Sequence, residues 1–209
     1  MGNIDADPEQ LLSLARKGDG VSSDARAAQG RLLELYRGYL AILARLQIGR
    51  RLQGKVDAAD LVQDTFLEAH RHFSSFRGTS ERELVSWLRK ILAGNLANLL
   101  RRYLGTQGRD VRLERDLVIQ LDDSSRVLEQ GLAAPTSSPS QKAVRREQAV
   151  LLSDALNSLP SDYREVIILR HLEGLTFPEI GQRLERTVDS VEKLWLRALA
   201  RLRNSLEGP

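Results

Sequence analysis

The chain has 209 residues, 42% hydrophobic and 28% charged, which suits one or two globular domains with real cores and excludes a disordered chain. It has no cysteine, so disulfides and cysteine-ligated zinc are excluded, and its formal net charge of +3 permits nucleic-acid binding without requiring it. The N-terminus has no basic n-region or apolar h-region, and no apolar run approaches the roughly 20 residues that span a bilayer, so a cytoplasmic protein without membrane insertion is expected.

Aromatics make up only 5% of the chain, β-branched residues seldom alternate, and Ala, Leu, Arg and Glu dominate. The expected class is all-α. In chain order, residues 8 to 17 form a short helix ended by Gly18 and Gly20. A second helix starts near Ser23 and Asp24, sends Leu32, Leu33, Leu35, Tyr36, Tyr39, Leu40, Leu43 and Leu46 toward a core, and ends near Gly49; residues 50 to 54 connect it onward. A third helix is capped by Asp57, with an apolar stripe of Leu61, Val62, Thr65, Phe66, Ala69 and Phe73. Asp60, Gln63, Asp64 and Glu68 lie on another face, which is either a solvated face or a docking surface for a basic partner.

After a turn over residues 74 to 80, a helix runs from Glu81 to Tyr103. Leu84, Trp87, Leu88, Ile91 and Leu92 are core-like, and Gly94-Asn95 predicts a kink or break, since glycine costs about 1 kcal/mol inside a helix. Arg77, Arg82, Arg89, Lys90, Arg101 and Arg102 make this part basic. Phe73, Phe76, Trp87 and Tyr103 put rings among those cations, a mixture that suits single-stranded nucleic acid. The alternative for Trp87 is a plain core role.

Residues 104 to 140 change character. The part from Arg109 to Leu121 is partly helical by pattern, and residues 132 to 140 are a linker by composition, so the domain boundary is placed here. A long helix then carries Val144, Ala149, Leu151, Leu152, Ala155 and Leu156 inward and stops at Leu159-Pro160. Ser161 caps the next helix, which ends at Gly174.

The stretch from Gly174 to Leu202 reads as two helices joined by a turn. Thr176 and Glu179 have capping-box spacing, Pro178 sits where a missing N–H costs little, and Ile180 and Leu184 share a face. Gly181 is small where two helices cross closely, and Glu185 to Val188 supply the turn. Thr187 or Asp189 caps the second helix, whose Val191, Leu194, Trp195, Ala198, Leu199 and Leu202 face inward. This is helix-turn-helix spacing, and the second helix suits a DNA major groove. Helical hairpins also occur in proteins that never touch DNA. Arg183, Arg186, Lys193, Arg197, Arg201 and Arg203 favour phosphate, while Glu179, Glu185, Asp189 and Glu192 dilute the basic face.

No catalytic constellation emerges. There is no P-loop, Gly-x-Ser-x-Gly or His-Glu-x-x-His, and His70 and His72 lie on opposite sides of a helix. No cofactor or metal is expected, each histidine has a surface or packing role, and the protein is not expected to be an enzyme.

Two separated stretches resemble the bacterial sigma-70 family of RNA polymerase sigma factors, in its small extracytoplasmic-function (ECF) form. Asp57-Ala-Ala-Asp-Leu-Val-Gln-Asp-Thr-Phe-Leu-Glu-Ala, followed by Phe76-Arg-Gly and Trp87-Leu-Arg-Lys-Ile, is similar to sigma region 2. Leu156-Asn-Ser-Leu-Pro-Ser-Asp-Tyr-Arg-Glu-Val-Ile-Ile-Leu-Arg, followed by Glu173-Gly-Leu-Thr-Phe-Pro-Glu-Ile-Gly, is similar to region 4. The resemblance implies two helical domains, 1–103 and 141–209, joined by a flexible linker over 104–140. It implies a promoter-specificity subunit whose partners are core RNA polymerase, at its clamp helices and flap, and promoter DNA in double-stranded and melted form. An anti-sigma factor is a further partner that the resemblance admits.

Carried over residue by residue, the resemblance implies polymerase docking by Asp57, Asp60, Gln63, Asp64 and Phe66. It implies capture of the melted −10 element around Ala93, with Arg89, Lys90, Gly94, Asn95, Asn98, Arg101 and Arg102. It implies reading of the −35 element by Arg186, Thr187, Asp189, Ser190, Lys193 and Arg197. Two positions depart from the pattern: Leu194 stands where relatives often have Arg, and Gly94 where a polar residue is common. Glu192 either accepts from a cytosine amine or faces solvent. The competing readings are a helix-turn-helix regulator that does not act as a polymerase subunit, and an interaction module whose acidic helix binds a basic partner. A plain regulator has no need of the region 2 pattern.

Overall fold

The computed structural model describes residues 7–17, 22–51, 56–104, 111–130 and 139–207, and every regular element among them is helical. Two compact units, Met1–Asp122 and Asp123–Pro209, divide the chain.

In the first unit, α1 (Pro8–Lys17) buries Leu11, Leu12 and Ala15, residues spaced for one face. Ser22 caps α2 (Ser23–Leu35) by accepting from the Ala25 N–H at 3.1 Å. The single helix expected from residue 23 to 49 is instead two, α2 and α3 (Arg37–Arg51), separated at Tyr36. Tyr36 takes φ −101°, ψ 4° while its buried ring sends its hydroxyl to Glu81 at 3.0 Å. Gly38 follows two residues later inside α3, and a long-range hydrogen bond accompanies the break.

Asp57 caps α4 (Ala58–His72) as expected, accepting from the Ala59 N–H at 2.8 Å. The predicted stripe of Leu61, Val62, Thr65, Phe66, Ala69 and Phe73 is buried. A 3₁₀ turn (Phe73–Ser75) leads to the loop before α5 (Glu81–Leu104). The break expected at Gly94-Asn95 is absent, and α5 runs through. Ala93, Leu96 and Ala97 around it are at most 1% exposed, and each buried leucine contributes about 1.5–3 kcal/mol, which outweighs one glycine.

The stretch expected as linker holds α6 (Val111–Gln130), with Leu117, Leu121 and Leu128 buried. Spacings of four and seven put these leucines on one face. Asp122 on α6 pairs with Arg89 Nε at 2.6 Å, and Arg89 Nη1 donates to the Tyr39 hydroxyl at 3.0 Å. Burial opposes the charge on Arg89, but Tyr39 and Asp122 outweigh it and hold its pKa above the ordinary arginine value. Gly18 to Gly20, residues 52–54, 105–108 and 131–138, and the side chain of Val144 lie outside the described residues.

In the second unit, α7 (Pro139–Ser158) buries Ala149, Ala155 and Leu156, but Leu151 is exposed, contrary to the expected pattern. Ser161 does not cap α8 (Ser161–Ile167): Pro160 holds the cap position with extended backbone, and no side chain closes it. The helix expected to reach Gly174 changes to a π turn (Ile168–Leu172), closed by the Glu173 N–H on the Ile168 carbonyl at 3.0 Å. Gly174 then takes φ +74°, which suits glycine.

The last two helices are α9 (Phe177–Arg183) and α10 (Val188–Glu207). The end of α9 is a Schellman turn: the Arg186 N–H reaches the Gly181 carbonyl at 2.9 Å and the Glu185 N–H reaches Gln182 at 3.4 Å. Glu185 is left-handed, with φ +53°, where glycine is usual. Gly181 is required by this turn rather than by a helix crossing. A Cβ there would lie 2.8 Å from the Arg186 carbonyl oxygen.

Gly181→Ala is therefore expected to destabilise the second unit by about 1–3 kcal/mol in urea denaturation, where an unobstructed helical Gly→Ala would stabilise by up to about 1 kcal/mol. Asp122→Ala strips an ion-pair partner from Arg89, whose side chain is only 14% exposed, and is expected to cost about 1–3 kcal/mol in the same measurement.

Candidate nucleic-acid and protein interfaces

The exposed face of α4 is built by helical spacing. Asp60, Gln63 and Asp64 are exposed, and Leu67, 45% exposed, joins them at i+4 from Gln63 and i+7 from Asp60. Sequence reasoning missed Leu67; the signal was an apolar residue outside the buried stripe. Phe66 does not join this row. It is 9% exposed, under the Arg37 guanidinium, which sits 4.8 Å from the ring centroid. Asp57 is spent on the helix cap.

Along α5, Lys90, Gly94, Asn98 and Arg101 follow one another at four- and three-residue steps. Lys90, Asn98 and Arg102 are exposed, while Gly94, Asn95 and Arg101 are half-buried. Arg101 donates to Asn98 and to the Ala97 carbonyl, the latter at 3.2 Å, so these two side chains act together. Asn95 turns toward the Thr65 hydroxyl at 3.4 Å. Arg89 is held by Asp122 and Tyr39, and Ala93 is fully buried. A Cβ at Gly94 would meet only Glu114 Oε1, at 3.8 Å, an ordinary van der Waals contact.

The rings expected among these cations mostly face one another. Phe76 lies 5.0 Å from Trp87 and 6.0 Å from Phe73, and both phenylalanines are buried. Trp87 is half-buried against them, and Tyr103 alone of the four is fully in the exposed class.

In the second unit the capping box of α9 is complete. The Thr176 N–H and hydroxyl reach Glu179 Oε2 at 2.7 and 2.6 Å, and the Glu179 N–H reaches the Thr176 hydroxyl at 3.5 Å. The hydrogen bonds from the Thr176 side chain and backbone hold the Glu179 carboxyl below its usual pKa. Thr187, not Asp189, supplies the cap of α10, accepting from the Ser190 N–H at 3.3 Å.

Val191, Leu194, Ala198 and Leu202 are buried, so Asp189, Lys193 and Arg197 align on the outer side at steps of four. Leu194 is thus a core residue. Glu192 is exposed. Lys193 Nζ pairs with Asp189 at 2.8 Å and Arg186 with Asp162 at 2.6 Å. All four side chains are more than a third exposed, so these pairs are weak and exchangeable. Behind the outer face, Trp195 Nε1 donates to His171 Nε2 at 3.0 Å with the rings stacked. Burial, then the neighbouring Arg170, lowers the His171 pKa and preserves that acceptor. The packing role expected for His171 is this one.

The chain matches the family models "Sigma-70 region 2" over residues 34–105 and "Sigma-70, region 4" over residues 149–202. It is 27% identical over 199 residues to the ECF RNA polymerase sigma-E factor of Haemophilus influenzae, covering 95% of this chain and 97% of that one. It is 29% identical over 151 residues to the protein of that name in Escherichia coli K12, covering 72% and 74%. A solved structure described as the flagellar sigma/anti-sigma complex Sigma-28/FlgM is similar at a TM-score of 0.32 and 18% identity, covering 88% of this chain and 97% of that one. With regions 2 and 4 in order on two compact units, the chain belongs to the sigma-70 family of RNA polymerase sigma factors and is of the ECF type.

Proposed function

We propose that this sigma factor divides its work between two helical parts of the chain and the stretch that connects them. Residues 1–103 dock on core RNA polymerase and open the −10 element, residues 141–209 read the −35 element and meet the flap, and residues 104–140 connect them. As a member of its family it binds core polymerase and promoter DNA and directs promoter-specific initiation. The observation that carries the division is a capped helix-turn-helix in one unit and a region 2 helix pair in the other. A regulator that does not act with polymerase would need only the first. The family is not known as enzymatic, and we assign the chain no reaction of its own. No helix among the described residues is long and apolar enough to cross a membrane, and we place the protein in the cytoplasm with its polymerase.

Docking falls to Asp60, Gln63 and Asp64 with Leu67 among them, an acidic row around an apolar contact, facing the polymerase clamp helices. Asp57 and Phe66 support the row from beneath, as cap and as core. On α5, Lys90, Gly94, Asn98, Arg101 and Arg102 line the path of the melted strand, with Asn95 turned inward beside them. Arg89 and Ala93 set the position of that helix. Extruding a base costs a few kcal/mol of stacking, which contacts along this face offset. On α10, Lys193 and Arg197 approach the major groove with Ser190, while Arg186, Thr187 and Asp189 frame the helix start. Phosphate or a base edge takes the place of the acidic partner of Lys193.

Run-off transcription with bacterial core polymerase tests the reading: transcripts with defined starts that need this chain are expected. Asp64→Arg is expected to abolish co-purification with core enzyme while the circular dichroism melt is unchanged; retained binding would move the docking surface off α4. Lys193→Ala and Arg197→Ala are each expected to weaken duplex promoter binding, about 1–3 kcal/mol for a base contact. For a phosphate contact each would instead lower the salt-dependence slope by about one. Wild-type affinity in both would place the reading surface elsewhere.

A further inference from the structure

The N-terminal helix α1 precedes the stretch that matches region 2, and the unit's division of labour leaves it unused. It nevertheless reaches across the unit. Arg16 Nη1 donates to the Gly78 carbonyl at 2.7 Å, a bond between residues 62 apart in sequence. Gly78 lies in the loop between the Phe73–Ser75 turn and α5, the helix that carries Lys90, Gly94 and Asn98 further along.

That loop is fastened at two further points. On its near side, Phe76 is buried against Phe73 and Trp87. On its far side, the Glu83 carboxylate accepts from the Thr79 N–H at 2.8 Å, the Ser80 N–H at 3.1 Å and the Ser80 hydroxyl at 2.9 Å. Gly78 is pressed between these anchors: a Cβ there would lie 2.3 Å from the Phe76 ring and 2.8 Å from Glu83 Cβ. Between Phe76 and Gly78 stands Arg77, exposed to solvent. A cation on a backbone fixed on both sides has that backbone ordered in advance, so that binding a polyanion through it leaves only the side chain to order.

We propose that Arg16 is a positioning residue for this loop, through which α1 holds Arg77 ready for the phosphates of melted, single-stranded promoter DNA. This rests on the reading that the first unit handles the melted strand. Arg16 itself touches no DNA. Its guanidinium fixes the Gly78 carbonyl, and with it the direction in which Arg77 leaves the backbone. An ammonium at the same position also donates, so lysine retains part of the effect.

The test uses full-length protein in holoenzyme, a single-stranded oligonucleotide carrying the non-template −10 sequence found by run-off mapping, and a duplex carrying only the −35 element. Arg16→Ala and Arg77→Ala are each expected to weaken the single-stranded complex about fivefold, with Arg16→Lys falling between Arg16→Ala and wild type. The double variant is expected to be no weaker than Arg77→Ala, because the two residues act through one contact. Core binding and the −35 duplex remain at wild-type affinity in all of them. Gly78→Ala, which displaces the loop by a separate route, is expected to match Arg16→Ala. Wild-type single-strand affinity in Arg16→Ala, or additive losses in the double variant, would overturn the positioning role while leaving the sigma reading intact. A wild-type holoenzyme that holds neither probe would overturn both.

Discussion

Leu84, Leu88, Leu92, Leu96 and Leu100 recur every four residues along α5, and none is more than 1% exposed. That seam is the constraint on which the first unit depends. Four residues turn a helix by about 400°, so each leucine sits about 40° around from the last, and the buried face winds along the helix. The polar face winds with it, which carries Lys90, Gly94, Asn98 and Arg101 along a curved track. A helix held over so many buried side chains tolerates glycine in its middle. The same seam fixes the orientation of α5 against α3 and α4, and through α4 the direction of the acidic row.

Where local chemistry decided the structure, the sequence was legible. The Asp57 cap, the Thr176–Glu179 capping box, the apolar stripe of α4 and the inward set of α10 all follow from short-range spacing. What escaped was decided at long range or by backbone strain. The break at Tyr36 accompanies a hydroxyl reaching Glu81 across 45 residues. The π turn after Ile167 and the left-handed Glu185 have no residue signal of the usual kind. Helix α6 was legible in part, as far as Leu121; its run on to Gln130 was hidden by the charged residues that interrupt its leucines, and its ion pair with Arg89 spans 33 positions. Of the candidate site, the exposed residues of α4 and α10 and the burial of Phe66 were readable from periodicity, whereas the sequestering of Arg89 depends on partners 33 and 50 positions away.

Electrostatics in the second unit are tempered rather than strong. Arg183, Arg186 and Lys193 each have an acidic neighbour within ion-pair distance, at 3.4, 2.6 and 2.8 Å. Such a surface offers DNA an exchange of partners in place of an unopposed attraction, which lowers non-specific binding more than specific binding.

The two tryptophans of the chain are shared out one to each unit: Trp87 lies on Phe76 in the first, and Trp195 on His171 in the second. Each unit therefore contains its own intrinsic fluorophore, in a distinct setting. Trp195 donates its indole N–H to the imidazole stacked on it, whereas Trp87 packs against phenylalanine rings. Two-domain chains seldom unfold in a single step, and here the optical labels that would separate the steps are already part of the fold.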